Sequence, residues 1–293
     1  MSRWFNPSAC VVERMHDFAV RRLIGLAHTR TRDWEYIMAT RVLRVFAASF
    51  SCAAAARHRL FVGGHGELAQ GARIALPDYQ RHYLGSVLRL KPGGAVALFD
   101  GAHGEWNARI DALDRKRCEL TVEEQVRVQP ALADGPTLLF GLIKGARLPT
   151  LVEKATELGA AQIIPVLTSR CNARSHNPER LSAIATEASE QCGRLTVPSV
   201  PDELPSLEQA LRAWDRSRTL VVCDERGGDI ESLASVAARM QVDGVLVGPE
   251  GGFTDEEFAA FDALESVRRV SLGVNTLRAE TAALAALAVL ACR

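Results

Sequence analysis

The sequence predicts an α/β protein in two parts, a small β-barrel over residues 58–128 and an α/β domain over residues 136–293. Two patterns support this prediction. Between residues 59 and 122, short apolar runs are separated by glycine and proline turns, which is typical of a small β-barrel or sandwich. Beyond a polar linker, strand-length apolar runs alternate with segments of helical periodicity. That alternation favours a mostly parallel sheet with helices on both faces.

Composition excludes several classes of protein. The chain has 293 residues, of which 47% are hydrophobic and 24% charged, with a net charge of zero, an ordinary globular balance. The charge-free apolar runs are too short to span a bilayer, so we expect no membrane partner. Seven scattered cysteines form no Cys-x-x-Cys pair, and the histidines show no His-Glu-x-x-His spacing. The sequence therefore predicts no metal site and no disulfide framework, and it indicates a reducing compartment.

Residues 1–57 show weak periodicity and few turn signals, and we expect a poorly ordered basic leader or extension. Residues 1–59 carry ten basic and four acidic side chains. An acid-free stretch rich in Arg, Ala and Ser follows Met38 and resembles an organelle transit peptide. The alternative is that Met38 is the true start. We expect a cytoplasmic protein, or a mitochondrial or plastid protein if residues 1–57 are a transit peptide.

The barrel region contains one segment that fits RNA contact. Residues 78–90 predict a short helix that carries Arg81, His82, Tyr83 and Arg89. Basic and aromatic groups on a small β-barrel fit contact with an RNA backbone, although a solvated helix face explains them equally well. The predicted strands of this region are residues 60–62, 72–76, 94–99, 106–110 and 118–122.

Residues 64–69 match the dinucleotide-binding pattern G-x-G-x-x-G/A. That pattern carries meaning only where a strand precedes it and a sustained helix follows. Gly71 and Pro77 interrupt any helix here. We therefore predict a hairpin turn at residues 64–69 and no dinucleotide site.

The C-terminal part alternates strands and helices. The last helix is apolar nearly all round, so it must be buried in the domain or against a second subunit. Ser206 and Gln209 predict a capping box at the start of an earlier helix. The predicted strands are residues 137–143, 162–167, 219–223, 245–247 and 267–272, and the predicted helices are residues 149–159, 177–193, 206–214, 229–240 and 277–292.

A glycine-rich loop follows the strand at residues 245–247, and Thr254 and Glu257 predict a capping box for the next helix. Glycines let a ligand lie against bare backbone. The helix opens with three carboxylates where a phosphate would bind, and no P-loop lysine follows. The loop therefore suits a neutral or cationic ligand, which counts against a nucleotide-binding oxidoreductase or NTPase; a plain tight turn is the alternative. Its residues are Gly248, Pro249, Glu250, Gly251 and Gly252.

Ligands of parallel sheets collect at the carboxyl ends of the strands. Three loops there are candidates for a ligand site. They are residues 224–228, 248–252 and 273–276.

Six motifs stand in the chain in a fixed order between Arg59 and Cys292. They are residues 82–90, ending Val-Leu-Arg-Leu; residues 98–101; residues 154–159 with Pro165 and Arg170; residues 190–194 with Val197 and Pro198; residues 248–252; and Leu272-Gly273 with residues 277–282. Each is modest alone, but six in sequence are specific. Through them the chain resembles the RsmE family of small-subunit ribosomal RNA uridine-N3 methyltransferases, in the SPOUT superfamily.

The resemblance implies a PUA-like RNA-binding barrel followed by a SPOUT-type α/β domain with a deep trefoil knot. It implies S-adenosyl-L-methionine as the cofactor and a homodimer through the C-terminal domain. The implied activity is methylation of N3 of a specific uridine of small-subunit (16S) ribosomal RNA in the assembled 30S particle. Connection rules alone argue against a knot. The cofactor carries a sulfonium cation and no phosphate, which agrees with a loop followed by carboxylates.

The resemblance also assigns site residues. Leu272, Gly273 and Leu277 join the glycine loop in the cofactor site. Arg278 is expected to hold the uracil carbonyls or the adjacent phosphate. Glu280 is expected to orient Arg278 or to accept the N3 proton, and a helix-start ion pair between Arg278 and Glu280 is the alternative.

Further residues carry weaker expectations. Arg170 and Arg194 are candidates for RNA contact or for support of the cofactor loop, and a solvated role is equally open. The chain departs from the family at Asn275, where an arginine is usual. Asn275 is a candidate N-cap of the last helix, and the lost cation would weaken contact with RNA. A weak or inactive RNA-binding relative, or a methyltransferase for another RNA position, are the alternatives.

Overall fold

The computed structural model describes residues 56–130, 135–227 and 229–292. The leader predicted over residues 1–57 lies outside these residues, apart from its last two. The described chain contains two five-stranded sheets, one in each predicted part. The observed class is therefore α/β, as the sequence predicts.

The first sheet has the strand order β1-β3-β4-β5-β2 and encloses the apolar core of the barrel region. Its pairs are antiparallel except β1 with β3, which is parallel. The first helix runs directly into a π-helical turn at Tyr83–Val87. The elements are β1 (Arg59–Phe61), β2 (Arg73–Ala75), α1 (Asp78–His82), β3 (Ala95–Phe99), β4 (Glu105–Leu113) and β5 (Cys118–Arg127).

The hairpin predicted at residues 64–69 is wrong. Strands β1 and β2 lie at opposite edges of the sheet, because β1 pairs with β3 and β2 pairs with β5. Gly64 and Gly66 have φ values of 82° and 110°, so the chain does turn sharply there. The glycines mark the turn correctly, but the strand pairing on either side is set by more distant parts of the chain.

The second sheet is fully parallel, with the order β10-β8-β9-β6-β7. This confirms the predicted α/β domain, while the trefoil knot stays a prediction. The strands are β6 (Thr137–Gly141), β7 (Gln162–Val166), β8 (Leu220–Cys223), β9 (Gly244–Val247) and β10 (Val267–Val270). The helices are α2 (Leu148–Glu157), α3 (Pro178–Cys192), α4 (Leu207–Ala213), α5 (Leu233–Arg239), α6 (Asp255–Asp262) and α7 (Ala279–Ala291).

The parallel strands are apolar on both faces because helices cover both sides. Leu138 and Phe140 belong to one buried cluster, which includes residues of α2, α3, α5 and α7, whereas Leu139 between them belongs to a second cluster with residues of α4 and α6. Alternate residues of a strand point to opposite faces. A continuous apolar run such as β6 is what a strand buried on both sides requires.

Two predicted capping boxes are confirmed. Ser206 and Gln209 cap α4, and Thr254 and Glu257 cap α6 through reciprocal side-chain and backbone hydrogen bonds. Another predicted start is wrong, since α5 begins at Leu233 and not at residue 229. Its N-cap is Ser232, whose hydroxyl accepts a hydrogen bond from a first-turn N–H.

The expected N-cap role of Asn275 is also wrong. Helix α7 begins at Ala279, and Arg278 occupies the N-cap position with an extended backbone, φ −66° and ψ 153°. Asn275 therefore stays in the loop that precedes the helix. Its exposed side chain is left for other contacts.

Helix α7 is buried in the domain, as its composition predicts. One face, including Ala283, Ala286 and Leu287, is completely enclosed. The opposite face, including Leu284 and Val289, is half-buried. Among the described residues, none of the helices combines the length and apolarity needed to cross a membrane.

Candidate functional site

A cavity of about 770 Å³ opens at the carboxyl ends of β8, β9 and β10. The three candidate loops predicted from the sequence meet there, because parallel strands end at the same edge of a sheet. The described lining comes from those loops and from the start of α7. It consists of Cys223, Asp224, Glu225, Gly227, Val247, Gly248, Pro249, Glu250, Gly251, Gly252, Ser271, Leu272, Gly273, Val274, Asn275, Thr276, Leu277, Arg278, Ala279 and Ala282.

The glycine loop presents bare backbone to the cavity. Gly252 has a φ of 66°, and a side chain at this position would collide with the Glu225 carboxylate. Its N–H donates to Pro249 O at 2.9 Å, which closes the turn. At Gly248 a Cβ would come within 3.3 Å of the Phe253 ring. The loop therefore requires glycine at Gly252 for its left-handed backbone, whereas at Gly248 a side chain would fit only if the Phe253 ring shifted.

Arg170 supports this loop from outside. Its Nη1 donates to Gly251 O at 3.0 Å, and a Cβ at Gly251 would press against the Arg170 side chain. The neighbouring Ser169 N–H donates to Glu257 Oε1 at 2.8 Å. The contacts correspond to loop support, the second of the two roles expected for Arg170.

Asp224 is a buried carboxylate at the cavity wall. It makes ion pairs with Arg226 at 3.2 Å and Arg269 at 2.7 Å. Burial alone would raise the pKa of Asp224, but the hydrogen bonds from Arg226 and Arg269 outweigh it and hold the pKa below the usual value. Since Arg269 lies on β10, its ion pair with Asp224 joins the ends of β8 and β10. The two arginines compensate the negative charge of the Asp224 carboxylate.

Two other carboxylates of the lining are exposed. Within the described chain, Glu225 and Glu250 make no hydrogen bond or ion pair with a side chain. Arg278 is the one cationic side chain in the described lining. The wall that contains the glycine loop is therefore acidic, and the wall formed by Asn275, Thr276 and Arg278 presents hydrogen-bond donors.

Arg278 and Glu280 do not form the pair considered from the sequence. Arg278 is exposed and lines the cavity, whereas Glu280 lies outside the lining. The Glu280 carboxylate instead contacts Arg147 Nη1 at 3.2 Å. Arg147 is the N-cap residue of α2, so this ion pair links the starts of α2 and α7. Sequence inspection missed Arg147, because nothing local marks it.

Arg194 does not face solvent as an RNA-contact residue would. Its Nη1 donates to Thr156 O and Ala160 O, both at 2.8 Å, and its Nη2 donates to Thr196 Oγ1 at 3.2 Å. Burial lowers the pKa of its guanidinium. We therefore do not retain Arg194 among the RNA-contact residues. Its donors stabilise the loop after α2.

The predicted RNA-contact residues of the barrel differ in their exposure. His82 and Arg89 are exposed. Arg81 is largely covered, and it pairs with Asp78 at 3.1 Å. Tyr79 beside them is 70% exposed, an aromatic side chain that the sequence inspection did not single out. Tyr79 lies two residues before Arg81, in a segment that its basic and aromatic content already indicated for RNA contact. This position is the sequence signal that could have identified Tyr79.

Metal ligation finds no support in this geometry. In the part of the chain that the structure describes, no group of three or more His, Cys, Asp or Glu side chains is placed to hold a metal ion.

Two family models match the chain. Residues 134–291 match a model described as an RNA methyltransferase domain. Residues 76–123 match a model described as an RNA methyltransferase PUA domain. Together they cover the whole second sheet and, in the first sheet, β3, β4 and most of β5.

Several relatives are similar over most of the chain. A ribosomal RNA small subunit methyltransferase E of Rickettsia conorii is 32% identical over 79% of this chain and 93% of its own length. That of Synechocystis sp. is 34% identical over 74% of this chain and 72% of its own. The crystal structure of ribosomal RNA small subunit methyltransferase E from Neisseria gonorrhoeae bound to S-adenosyl methionine is 30% identical. It has a TM-score of 0.69 and covers 79% of this chain and 95% of that one.

Proposed function

The chain belongs to the ribosomal RNA small subunit methyltransferase E family, and from that premise we propose that it methylates N3 of one uridine of small-subunit ribosomal RNA, with S-adenosylmethionine as cofactor. The observation that carries the proposal is the cavity at the ends of β8, β9 and β10. It combines bare glycine backbone, exposed carboxylates and a single arginine in its described lining.

These residues fit the cofactor. S-adenosylmethionine supplies a methyl group activated by a sulfonium cation. Glu225 and Glu250 give the glycine-loop wall a negative potential that favours a cation over a phosphate. The glycine loop, Leu272, Gly273 and Leu277 would hold the cofactor by backbone contacts and apolar surface.

Arg278 is the proposed electrostatic catalyst. Uracil N3 lies between two carbonyl groups and loses its proton when it is methylated, so negative charge develops on the carbonyl oxygens. The Arg278 guanidinium offers several donors at the mouth of the cavity to stabilise that charge. Asn275 and Thr276 are further donors on the same wall. Donors already in position at the transition state are expected to account for most of the rate gain.

Glu280 has a different proposed role. Because its carboxylate pairs with Arg147 and lies outside the lining, we propose that it fixes the start of α7 and thereby the backbone of Arg278. The proposed proton acceptor is therefore one of the carboxylates that line the cavity.

The barrel is proposed to hold the RNA. The RNA-binding face that we propose consists of Tyr79, His82 and Arg89, which are exposed aromatic and basic side chains on α1 and in the segment after it. Aromatic stacking and phosphate contacts of this kind bind RNA with little dependence on sequence. The target uridine must leave its stack to reach the cavity.

We further propose that the substrate is the assembled 30S particle and that the enzyme is a cytoplasmic homodimer. The half-buried apolar face of α7 supports the dimer, since such a face gains free energy when a second copy covers it. The cytoplasm is where assembled small subunits are found.

The test uses small subunits from a strain that lacks the gene. Wild-type protein and labelled S-adenosylmethionine should give one methylated uridine, located by mass spectrometry of the RNA. Arg278→Ala should reduce kcat at least about 100-fold, the usual cost of losing one transition-state donor. The control is Arg268→Ala, an exposed arginine of β10 outside the cavity, which should keep wild-type kcat. Absence of transfer by the wild type would refute the proposed function.

A further inference from the structure

Two arginines of the barrel sheet donate hydrogen bonds to the C-terminal end of α3, a helix of the methyltransferase domain. Arg59 Nη1 donates to Ser189 O and Glu190 O, both at 2.8 Å, and its Nη2 donates to Arg194 O at 2.7 Å. Arg127 Nη1 donates to the carbonyl of Gly193 at 2.7 Å.

Glu105 holds both arginines in place. This carboxylate is only 1% exposed, and it accepts from Arg59 Nε and, at 3.1 Å, from Arg127 Nη1. A buried carboxylate between two guanidinium groups is a charge-assisted network, stronger and more directional than neutral hydrogen bonds. We call Arg59, Glu105 and Arg127 the junction triad.

The end of a helix is a suitable target for such cations. The last four carbonyl groups of a helix lack intrahelical partners and carry the negative end of the helix dipole. The junction triad supplies donors to two of these groups, those of Ser189 and Glu190, and to the two carbonyls just beyond the helix. Gly193 ends α3 in the left-handed conformation, with a φ of 83°, and this turn exposes its carbonyl to Arg127.

A second contact continues from α3 to the proposed RNA-binding face. Glu190 Oε1 accepts from Phe61 N at 2.9 Å, and Phe61 O accepts from Gln80 Nε2 at 2.7 Å. Gln80 is a buried residue of α1, next to the exposed Tyr79. Helix α1 is thus connected by hydrogen bonds through Phe61 to α3, the same helix whose C-terminal end accepts hydrogen bonds from the junction triad.

We propose that the junction triad is a positioning device, which fixes the RNA-binding barrel at one orientation to the methyl-transfer cavity. This inference rests on the proposed function. A large RNA that contacts both parts binds more tightly when the two parts are already held in the orientation that the RNA requires. Binding then carries no entropy cost for ordering one part against the other. The proposed cofactor cavity is lined only by residues of the second part, so cofactor binding should not depend on the junction.

The principal variant is the double substitution Arg59→Met with Glu105→Met. It removes both members of the buried Arg59–Glu105 ion pair together, leaves the bond from Arg127 to Gly193 O in place, and preserves the net charge of the chain. A general loss of electrostatic attraction to RNA is thereby avoided. A second variant, Arg127→Ala, has a matched control in Arg109→Ala. Both arginines have side chains 47% exposed and pair with acids of the same sheet, but Arg109 pairs only within the sheet.

We expect the double variant to weaken the Kd for small subunits about 10-fold and Arg127→Ala about 3-fold, with the Kd for S-adenosylmethionine within about 2-fold of wild type. Arg109→Ala should match wild type in both. Amide exchange at Phe61 should accelerate in the double variant, while amides within β4 and β5 keep their protection.

Two results would overturn the inference. One is an unchanged Kd for small subunits together with unchanged exchange at Phe61. The other is an equal loss of affinity for small subunits and for the cofactor, which would show damage to the fold. Failure of the proposed function would be seen differently, as absence of methyl transfer by the wild type, and neither binding nor exchange depends on that result.

Discussion

At the scale of single residues, function depends on which charges are already paired. Asp224 and Glu257 both carry carboxylates near the glycine loop, but hydrogen bonds to arginine or to backbone N–H groups occupy them. Glu225, Glu250 and Arg278 keep their charges available to a ligand. The same rule separates Arg278 from Arg194, whose donors are bound to backbone carbonyls. The sequence alone does not distinguish the charged side chains that are already paired from those that remain available to a ligand.

His103 provides a pH-dependent contribution to stability. Its Nδ1 lies 2.6 Å from Asp100 Oδ2, and its Nε2 lies 3.6 Å from Glu67. The hydrogen bond to Asp100 raises the pKa of His103 above its ordinary value of 6.5. A raised pKa in the folded state means that the stabilisation is complete below pH 6.5 and is lost as the pH rises through the folded-state pKa.

We therefore expect wild type to exceed His103→Gln in free energy of unfolding at about pH 5.5, and the difference to vanish by about pH 9. Urea titrations across this range measure it. His65→Gln, the same substitution at an exposed histidine of the first sheet region, is the control for the chemical change itself. A difference for His103→Gln that grows toward high pH would contradict the assignment.

At the scale of elements, the glycine loop is held by its neighbours. The capping box of α6 fixes its exit, Arg170 supports its outer side, and Pro249 packs against β6 at Gly141. A bound ligand can then lie on a backbone that is already in place.

Gly252→Ala tests this element. The left-handed φ alone would cost about 1 kcal/mol, and the new methyl group would also displace the Glu225 carboxylate. Gly159→Ala is the matched control, since Gly159 also has a left-handed φ, 91°, with open space around it, and lies outside the cavity lining. We expect Gly252→Ala to weaken the calorimetric Kd for S-adenosylmethionine at least about 10-fold and Gly159→Ala much less. Equal losses would show that only backbone strain matters.

At the scale of the whole molecule, the half-buried face of α7 predicts a homodimer. Light scattering coupled to gel filtration should give twice the mass of the chain. Ala288→Glu places a charge on this face and should shift the mass to that of a monomer. Ala260→Glu, on the exposed surface of α6, should remain dimeric. A monomeric wild type, or a dimeric Ala288→Glu, would exclude α7 from the interface.

The sequence by itself determined the α/β class, the approximate positions of the strands and helices, and the three loops of the cavity. These follow from local physics, because apolar periodicity, caps and glycines act within a few residues. The motifs also determined the family. The acidic first turn of α6 indicated a neutral or cationic ligand in place of a nucleotide phosphate, which agrees with S-adenosylmethionine as the cofactor.

Only the tertiary structure decided which distant residues meet. It placed β1 beside β3, paired Glu280 with Arg147, directed Arg194 inward and joined Arg59 to the end of α3. Each of these contacts links residues that are far apart in the chain, so no local sequence pattern indicates it. The physical reason is that a buried donor or acceptor needs a partner, and folding supplies that partner from whichever segment is packed against it.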